Sequence, residues 1–129
     1  MKKSVIMFLL LIAVKISGQA PNQINYQGIA RNSVGNVLPD KPITVKLSIH
    51  DGTATGTVVY SETRNVTTNY YGLFSFAIGG PGASGVTGTI SAINWASGAK
   101  FLQVEIDPAG GTNFTNVGTT QLVSVPYAL

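Results

Sequence analysis

Residues 43–50 alternate between apolar and polar side chains without interruption. The apolar set is Ile43, Val45, Leu47 and Ile49, and the polar set is Thr44, Lys46, Ser48 and His50. Successive side chains of a β-strand point to opposite faces, so the pattern predicts a strand with one buried and one solvent-facing side. His50 is therefore predicted to be a solvated surface residue, because no nucleophile or ligand set for zinc accompanies it locally.

The stretch Thr67–Gly79 predicts a tight turn followed by a second strand. Gly72 can adopt a positive φ at the exit of the turn, which the preceding Tyr71 cannot do without strain. Alternation then places Phe74, Phe76 and Ile78 on one face, with Leu73, Ser75 and Ala77 on the other. The glycine- and proline-rich run that begins at Gly79 ends this strand.

Further strands are predicted over residues 24–31, 57–68, 100–107 and 119–125. Gly28 interrupts the first, which is typical of a bulge or a close backbone approach. The alternation around residues 61–65 is lost, which predicts an edge strand or one that bends between sheets. Residues 79–88 read as a loop, and residues 89–97 as a short strand or one helical turn with Trp95 capping the core. Strands at this spacing predict an all-β protein: a single antiparallel immunoglobulin-like or transthyretin-like β-sandwich of about seven strands.

The first residues have the pattern of a signal peptide. Lys2 and Lys3 precede an apolar run that ends at Val14 and is shorter than the ~20 residues of a membrane span. Small residues follow, and we expect cleavage after Gly18 in preference to Ala20, where Pro21 would become the first residue. Retention of the leader as an anchor is the alternative. The predicted organisation is a signal peptide at 1–18 and a β-sandwich domain at 19–129, exported to the cell surface or medium and without a membrane span.

Removal of the leader neutralises the chain. Of the eight Lys and Arg residues, three (Lys2, Lys3 and Lys15) lie in the leader, which leaves five basic against five acidic residues. A neutral domain offers no basic patch for nucleic acid, so nucleic-acid binding is not expected. The chain has no cysteine, which excludes thiolate chemistry and disulfides.

Two motifs suggest ligands but are better explained by structure. Residues 80–85 match G-x-G-x-x-G, yet residues 86–89 start no helix to hold a pyrophosphate, so no cofactor is predicted. Asp107 with Asn113, or Asp40 with Asp51, could supply oxygens to Ca²⁺, but one carboxylate per loop is too few for strong binding. No metal site and no catalytic residue is predicted.

Aromatic side chains raise the possibility of carbohydrate binding, because their faces stack on sugar rings. Tyr70 and Phe114 lie in or near predicted loops and are the candidate glycan contacts. Tyr71 and Trp95 are expected to serve core or hinge packing instead.

Several segments together resemble a known family. "INYQGIARNSVGNVL", "TTNYYGLFSFAIGG" and "INWASGAKFLQVEIDPAGGTNFTNVGTTQLVSVPYAL" are similar to the N-terminal module of secreted surface proteins of Bacteroidota, which precedes fibre-like, collagen-like or tail-fibre-type segments. A shorter likeness, in the turn at residues 68–74, is to transthyretin-like and carboxypeptidase-regulatory-like domains. In the surface family "VPYAL" usually leads into more chain, whereas this sequence stops at Leu129.

The resemblance implies a non-catalytic structural or adhesive role at the cell surface, as the head or base of a fibre-like protein. The alternative is a small carbohydrate-binding module that uses Tyr70 and Phe114. An open sheet edge is expected to pair with a protein partner or with downstream chain. No enzyme activity is expected.

Overall fold

The computed structural model describes residues 22–123. The predicted signal peptide and residues 124–129 lie outside this range. Seven strands and one short 3₁₀ helix follow one another along the chain: β1 (Ile24–Ile29), β2 (Pro42–Asp51), β3 (Val58–Thr67), β4 (Leu73–Ile78), β5 (Ser84–Thr87), the 3₁₀ helix Ile90–Ala92, β6 (Lys100–Asp107) and β7 (Thr115–Leu122).

The strands form two antiparallel sheets, which confirms the predicted seven-strand β-sandwich. One sheet has two strands in the order β1-β4, and the other has five in the order β5-β3-β2-β6-β7. β2 is the central strand of the larger sheet, paired along most of its length with β3 on one side and β6 on the other. Within residues 22–123 no helix is long and apolar enough to span a membrane.

The core lies between the two sheets and matches the predicted alternation. The inward side chains of β2 (Ile43, Val45, Leu47 and Ile49) are almost completely buried. They meet Phe74 and Ile78 of β4, and Phe76 is half-buried beside them. Trp95 packs against the same cluster, as expected of a residue that caps the core.

The outward side of β2 is where the prediction for His50 is wrong. His50 is buried, as are Thr44 and Ser48, although all three point away from the core. The physical reason is the central position of β2, since side chains of β3 and β6 flank these residues from both sides. His50 Nδ1 donates to the Gly56 carbonyl oxygen at 2.8 Å, and Nε2 lies 2.8 Å from the side-chain amide of Gln103 on β6.

β3 is neither an edge strand nor a bridge between sheets, in contrast to the prediction. It lies between β5 and β2. Its alternation looked confused because Glu62 and Arg64, which are charged, point into the molecule with Tyr60. Their burial depends on mutual pairing, which hydropathy alone does not report.

Gly28 marks a close approach and not an interruption of β1. It is paired with Phe74 across the small sheet. A Cβ atom at this position would lie 2.7 Å from the Phe74 ring, so glycine lets the ring in its present position approach the β1 backbone.

Two of the predicted segments differ from the structure by more than two residues. The loop over residues 79–88 contains the short strand β5, which its glycine content hid. β7 begins at Thr115, four residues before the predicted start at 119, and the predicted strand end at 125 lies beyond the described chain. Residues 89–97 hold a single 3₁₀ turn at 90–92, one of the two structures expected there.

Candidate functional site: the tyrosine turn

The β3–β4 connection is a rigid turn that presents two tyrosines, and we call residues 69–72 the tyrosine turn. The Asn69 side-chain oxygen accepts hydrogen bonds from the N–H groups of Tyr71 (2.8 Å) and Leu73 (3.0 Å). Gly72 has φ +79°, as predicted, and its N–H donates to the Asn69 carbonyl. The backbone of the turn is therefore fixed by local chemistry and does not depend on either tyrosine ring.

Neighbouring segments also hold the tyrosine turn in place. Asp40 N–H donates to the Asn69 carbonyl at 3.0 Å. The Thr68 hydroxyl donates to the Leu38 carbonyl and accepts from the Lys41 N–H, at 2.6 and 2.9 Å. The Gly72 carbonyl accepts from Ala30 N–H at the end of β1. Both sheets thus contact the turn, so its two aromatic rings start from a preorganised position.

Tyr70 and Tyr71 are the most exposed aromatic side chains among the described residues, at 70% and 67%. Their rings form an edge-to-face pair with centroids 5.3 Å apart and an interplanar angle of 78°. The exposure of Tyr70 agrees with the prediction. The expectation that Tyr71 packs in the core or a hinge is wrong, because the Asn69 turn directs both consecutive residues outward.

Phe114, the second predicted glycan contact, lies elsewhere and in a different environment. Its ring is half-buried, and the Lys46 ammonium lies 5.9 Å from its centroid on the outer face of the five-stranded sheet. Tyr70 pairs with Tyr71 and not with Phe114. The most exposed aromatic surface of the described residues is therefore the adjacent pair Tyr70–Tyr71, and Phe114 stays a separate predicted contact.

Asp107 and Asp51, two of the carboxylates considered above and set aside as calcium ligands, are bound to other partners. The Asp107 carboxylate accepts hydrogen bonds from the backbone N–H groups of Ala109, Gly111 and Asn113, at 2.9 to 3.0 Å. The hydrogen bonds from Ala109 and Asn113 hold the pKa of Asp107 below its ordinary value of 3.8. Asp51 pairs with Lys100, with 2.9 Å between Oδ1 and Nζ. Within residues 22–123 no three His, Cys, Asp or Glu side chains come together in a group that could hold a metal ion.

Glu62 and Arg64 form, with Tyr60, a buried polar cluster that sequence reasoning missed. Glu62 is 0% exposed, forms an ion pair with Arg64 Nε, and accepts hydrogen bonds from the Tyr60 hydroxyl (2.6 Å) and Gly79 N–H (2.8 Å). Burial, followed by the hydrogen bond to Glu62, raises the pKa of Tyr60 far above its ordinary value of 10.

Arg64 extends this cluster to the loop after β4. Its two terminal nitrogens donate to the carbonyl oxygens of Gly80 and Pro81, each at 2.8 Å, and its guanidinium lies 5.1 Å from the Phe76 ring centroid. The cluster therefore connects β3 of the large sheet to β4 of the small sheet. The signal in the sequence was the i, i+2, i+4 spacing of Tyr60, Glu62 and Arg64, which puts all three on one face of a strand.

The buried polar groups of the described chain serve the fold. Every buried side-chain nitrogen and oxygen in residues 22–123 has a hydrogen-bond partner. The arrangement of the tyrosine turn is different, because its aromatic surface is directed to solvent. Its chemistry is that of a contact surface, able to stack on an apolar or sugar ring and to hydrogen-bond through two phenol groups.

Comparison with known protein families finds one family model that matches nearly the whole β-sandwich. A family model described as a domain of unknown function (DUF8740) matches residues 25–121. This range runs from the second residue of β1 to the penultimate residue of β7 and includes the tyrosine turn. No curated protein and no solved structure matches the chain.

Proposed function

The chain belongs to the DUF8740 family, whose function is unknown. We propose that it is a non-catalytic structural or adhesive module of an exported protein. It acts at the outer cell surface, as the head or base of a fibre-like assembly. The signal-peptide pattern, the neutral and charge-poor composition, and the resemblance to surface modules of Bacteroidota support this role. An open sheet edge pairs with a protein partner or with downstream chain.

The observation that carries the proposal is the tyrosine turn. Exposed aromatic pairs on a rigid backbone are favourable contact surfaces because little conformational entropy is lost on binding. Tyrosine adds apolar area and a hydrogen-bonding hydroxyl in one side chain, which is why it is enriched in interfaces. Tyr70 and Tyr71 supply both on a turn held by Asn69.

The location is tested on intact cells that produce the natural protein. We expect an antibody against residues 19–129 to label unpermeabilised cells, and added protease to remove the label. Retention of the protein inside the cell, protected from protease until lysis, would contradict the proposal. Hydrolase activity in the purified mature chain would contradict its non-catalytic part.

The second candidate function is carbohydrate binding, and the exposure of Tyr70 favours it. We expect the mature chain to bind members of a glycan array, and Tyr70→Ala to weaken that binding by about five- to tenfold, since loss of a stacked ring costs on the order of 1–1.5 kcal/mol. Tyr70→Phe should retain most of the binding because the ring face remains.

Two controls make the glycan test decisive. Val58→Ala removes an exposed apolar side chain, 44% exposed, from the start of β3 and should leave binding unchanged. Phe114→Ala tests the other predicted contact. An array without binding, or binding that Tyr70→Ala leaves intact, would refute a glycan site at the tyrosine turn.

A further inference from the structure

Three of the connections between strands lie together at one end of the sandwich. They are the β1–β2 connection (residues 30–41), the β3–β4 connection with the tyrosine turn, and the β6–β7 connection (residues 108–114). The strand pairs that meet there are Ile29 with Leu73, Pro42 with Thr67, and Ile106 with Thr115. We call this part of the surface the turn end.

The turn end carries most of the exposed large apolar side chains of the described chain. Six of the nine such side chains in residues 22–123 lie there, namely Ile29, Val34, Val37, Tyr70, Tyr71 and Val117. The other three are spread over β3, β5 and the chain after β7. Single exposed apolar residues are ordinary, whereas their concentration on one part of a surface is typical of an interaction site.

A cavity of about 480 Å³ opens at the turn end, between the end of β1 and the strands β6 and β7. Its apolar walls are Ile29, Ile106, Pro108 and Val117, and the other lining residues are Arg31, Asn32, Ser33 and Thr115. A β-bulge directs Val117 to this place. Asn116 pairs with Glu105 and Gly118 with Val104, so Val117 is the extra residue of β7.

Arg31 is the one charged residue among the described residues that line the cavity. The ion pairs within residues 22–123 use Arg64 and Lys100, so Arg31 has no acidic partner in this part of the chain. An apolar cavity with a single positive charge at its rim is complementary to an apolar group that carries a carboxylate. A neutral sugar would leave this charge without a counter-charge.

Residues 31–37 hold Arg31 in position, and we call them the arginine turn. Arg31 pairs with Val37 in an isolated antiparallel bridge, and its Nη1 donates to the Gly35 carbonyl oxygen at 2.9 Å. The Asn32 side-chain oxygen accepts hydrogen bonds from two backbone N–H groups of the turn, at 3.1 and 2.9 Å. The bond to Gly35 uses one of five guanidinium N–H groups, so others can bind a carboxylate.

We propose that the turn end binds a protein partner through an acidic and apolar peptide segment. An apolar side chain of the segment fills the cavity, and a neighbouring carboxylate pairs with Arg31. The inference deepens the proposed adhesive role and rests on it. Arginine holds a carboxylate through two parallel hydrogen bonds, which gives direction as well as affinity. Tyrosine and arginine are also the side chains that often dominate the energy of an interface.

The spread of the apolar surface favours a polypeptide over a small ligand. The tyrosine turn and the arginine turn are joined through Ala30, whose N–H donates to the Gly72 carbonyl oxygen at 2.9 Å. Val34, Tyr70 and Tyr71 lie on these two turns and do not line the cavity. A ligand confined to the cavity would leave these side chains in water, whereas a peptide segment that crosses both turns covers them.

Selection from a phage library of short random peptides tests the chemistry of the partner, with the mature chain (residues 19–129) as the target. We expect the selected peptides to carry Asp or Glu close to Leu, Ile or Phe. The variant Arg31→Glu should select Lys or Arg in place of the acidic residue, because the charge at the rim of the cavity is reversed.

Binding of the selected peptides to variants then locates the site. Arg31→Gln should weaken binding by about tenfold or more, as expected for the loss of a hydrogen-bonded ion pair. Val117→Asp should weaken it as well, because it places a carboxylate in the cavity. The matched controls are Lys46→Gln, on the outer face of the five-stranded sheet, and Val86→Asp, at a site 51% exposed against 57% for Val117.

Each of the following results would overturn the inference. The selection could yield no binder, or binders without an acidic and an apolar residue together. The selected peptides could bind the test variants as well as the controls. A dimer of the mature chain that Arg31→Gln separates in sedimentation would identify a second copy as the occupant, and glycan-array binding that Arg31→Gln removes would identify an acidic sugar. Surface labelling of cells is independent of these results, so failure of this inference and failure of the proposed function remain distinguishable.

Discussion

Glu62 and Arg64 carry opposite charges inside the sandwich, and each is bound by more than one partner. Glu62 receives hydrogen bonds from Tyr60 and Gly79 beside its ion pair with Arg64. Burying a charge is costly unless pairing and hydrogen bonds replace the lost water. The cluster meets that condition, and in doing so it fixes how the loop after β4 lies against β3.

Removal of one partner should therefore be more damaging than removal of both. We expect Arg64→Ala to lower the free energy of unfolding by about 3–5 kcal/mol, because Glu62 stays buried without its counter-charge. The double variant Glu62→Leu/Arg64→Met, which keeps volume and removes both charges, should lose less. Urea denaturation of the three proteins measures the difference, and a single variant as stable as the double one would disprove this account of the cluster.

The same cluster shows a limit of sequence reasoning at the residue scale. Hydropathy assigns a charged side chain to the surface, and that rule fails where a second charge on the same strand face is available. In the tyrosine turn the error runs the other way, since Tyr71 was expected inside and is exposed. The positive φ of Gly72 followed from its place in the turn, but the outward direction of Tyr71 depended on backbone hydrogen bonds to the Asn69 side chain that an aromatic count does not reveal.

At the scale of elements, the β6–β7 loop is organised by one carboxylate. Asp107 collects three backbone N–H groups from the following six residues and is itself buried. These donors hold the pKa of Asp107 below 3.8. Because the pKa of Asp107 is lower in the folded state, its ionisation stabilises the folded domain at pH values above the ordinary pKa. This stabilisation is lost as the pH falls through the pKa of the folded state.

Asp107→Asn should thus destabilise the domain in a pH-dependent way. At about pH 7 we expect the variant to unfold at a lower urea concentration than the natural protein, because an amide offers one acceptor oxygen in place of two. The gap should close as the pH falls below 3.8 and vanish once the natural carboxyl is protonated. A gap that stays constant down to about pH 2 would show that charge on Asp107 is not the cause.

Elements differed in how far the sequence predicted them. β2 and β6 carry clean alternation, and both were placed within a residue of their bounds. β5 was missed because glycine and serine give no apolar pattern, and its pairing with β3 is decided by tertiary contact. The burial of His50 was also out of reach, because alternation indicates which face a residue occupies but not whether neighbouring strands cover it.

At the scale of the whole molecule, the small sheet depends on the large one. β1 and β4 are distant in sequence and pair only with each other among residues 22–123. A two-stranded sheet is marginal in water on its own. Its stability must come from the shared core and from the buried polar cluster, so the two sheets should form one cooperative unit.

We therefore expect a single unfolding transition. Far-UV circular dichroism, which follows both sheets, and the NMR amide signals of Asn25 and Gln27 in β1 should lose native signal at the same urea concentration. Arg64→Ala should shift both curves together. Loss of the β1 signals at a distinctly lower urea concentration would mean that the small sheet opens independently.

Trp95, the one tryptophan of the chain, gives the domain a built-in optical reporter. Its indole packs against the core and its Nε1 donates to the Ile90 carbonyl oxygen at 3.3 Å. The emission of an indole in such surroundings lies to the blue of its emission in water. Opening of the sandwich will therefore appear as a red shift, so folding can be followed by fluorescence without any added dye.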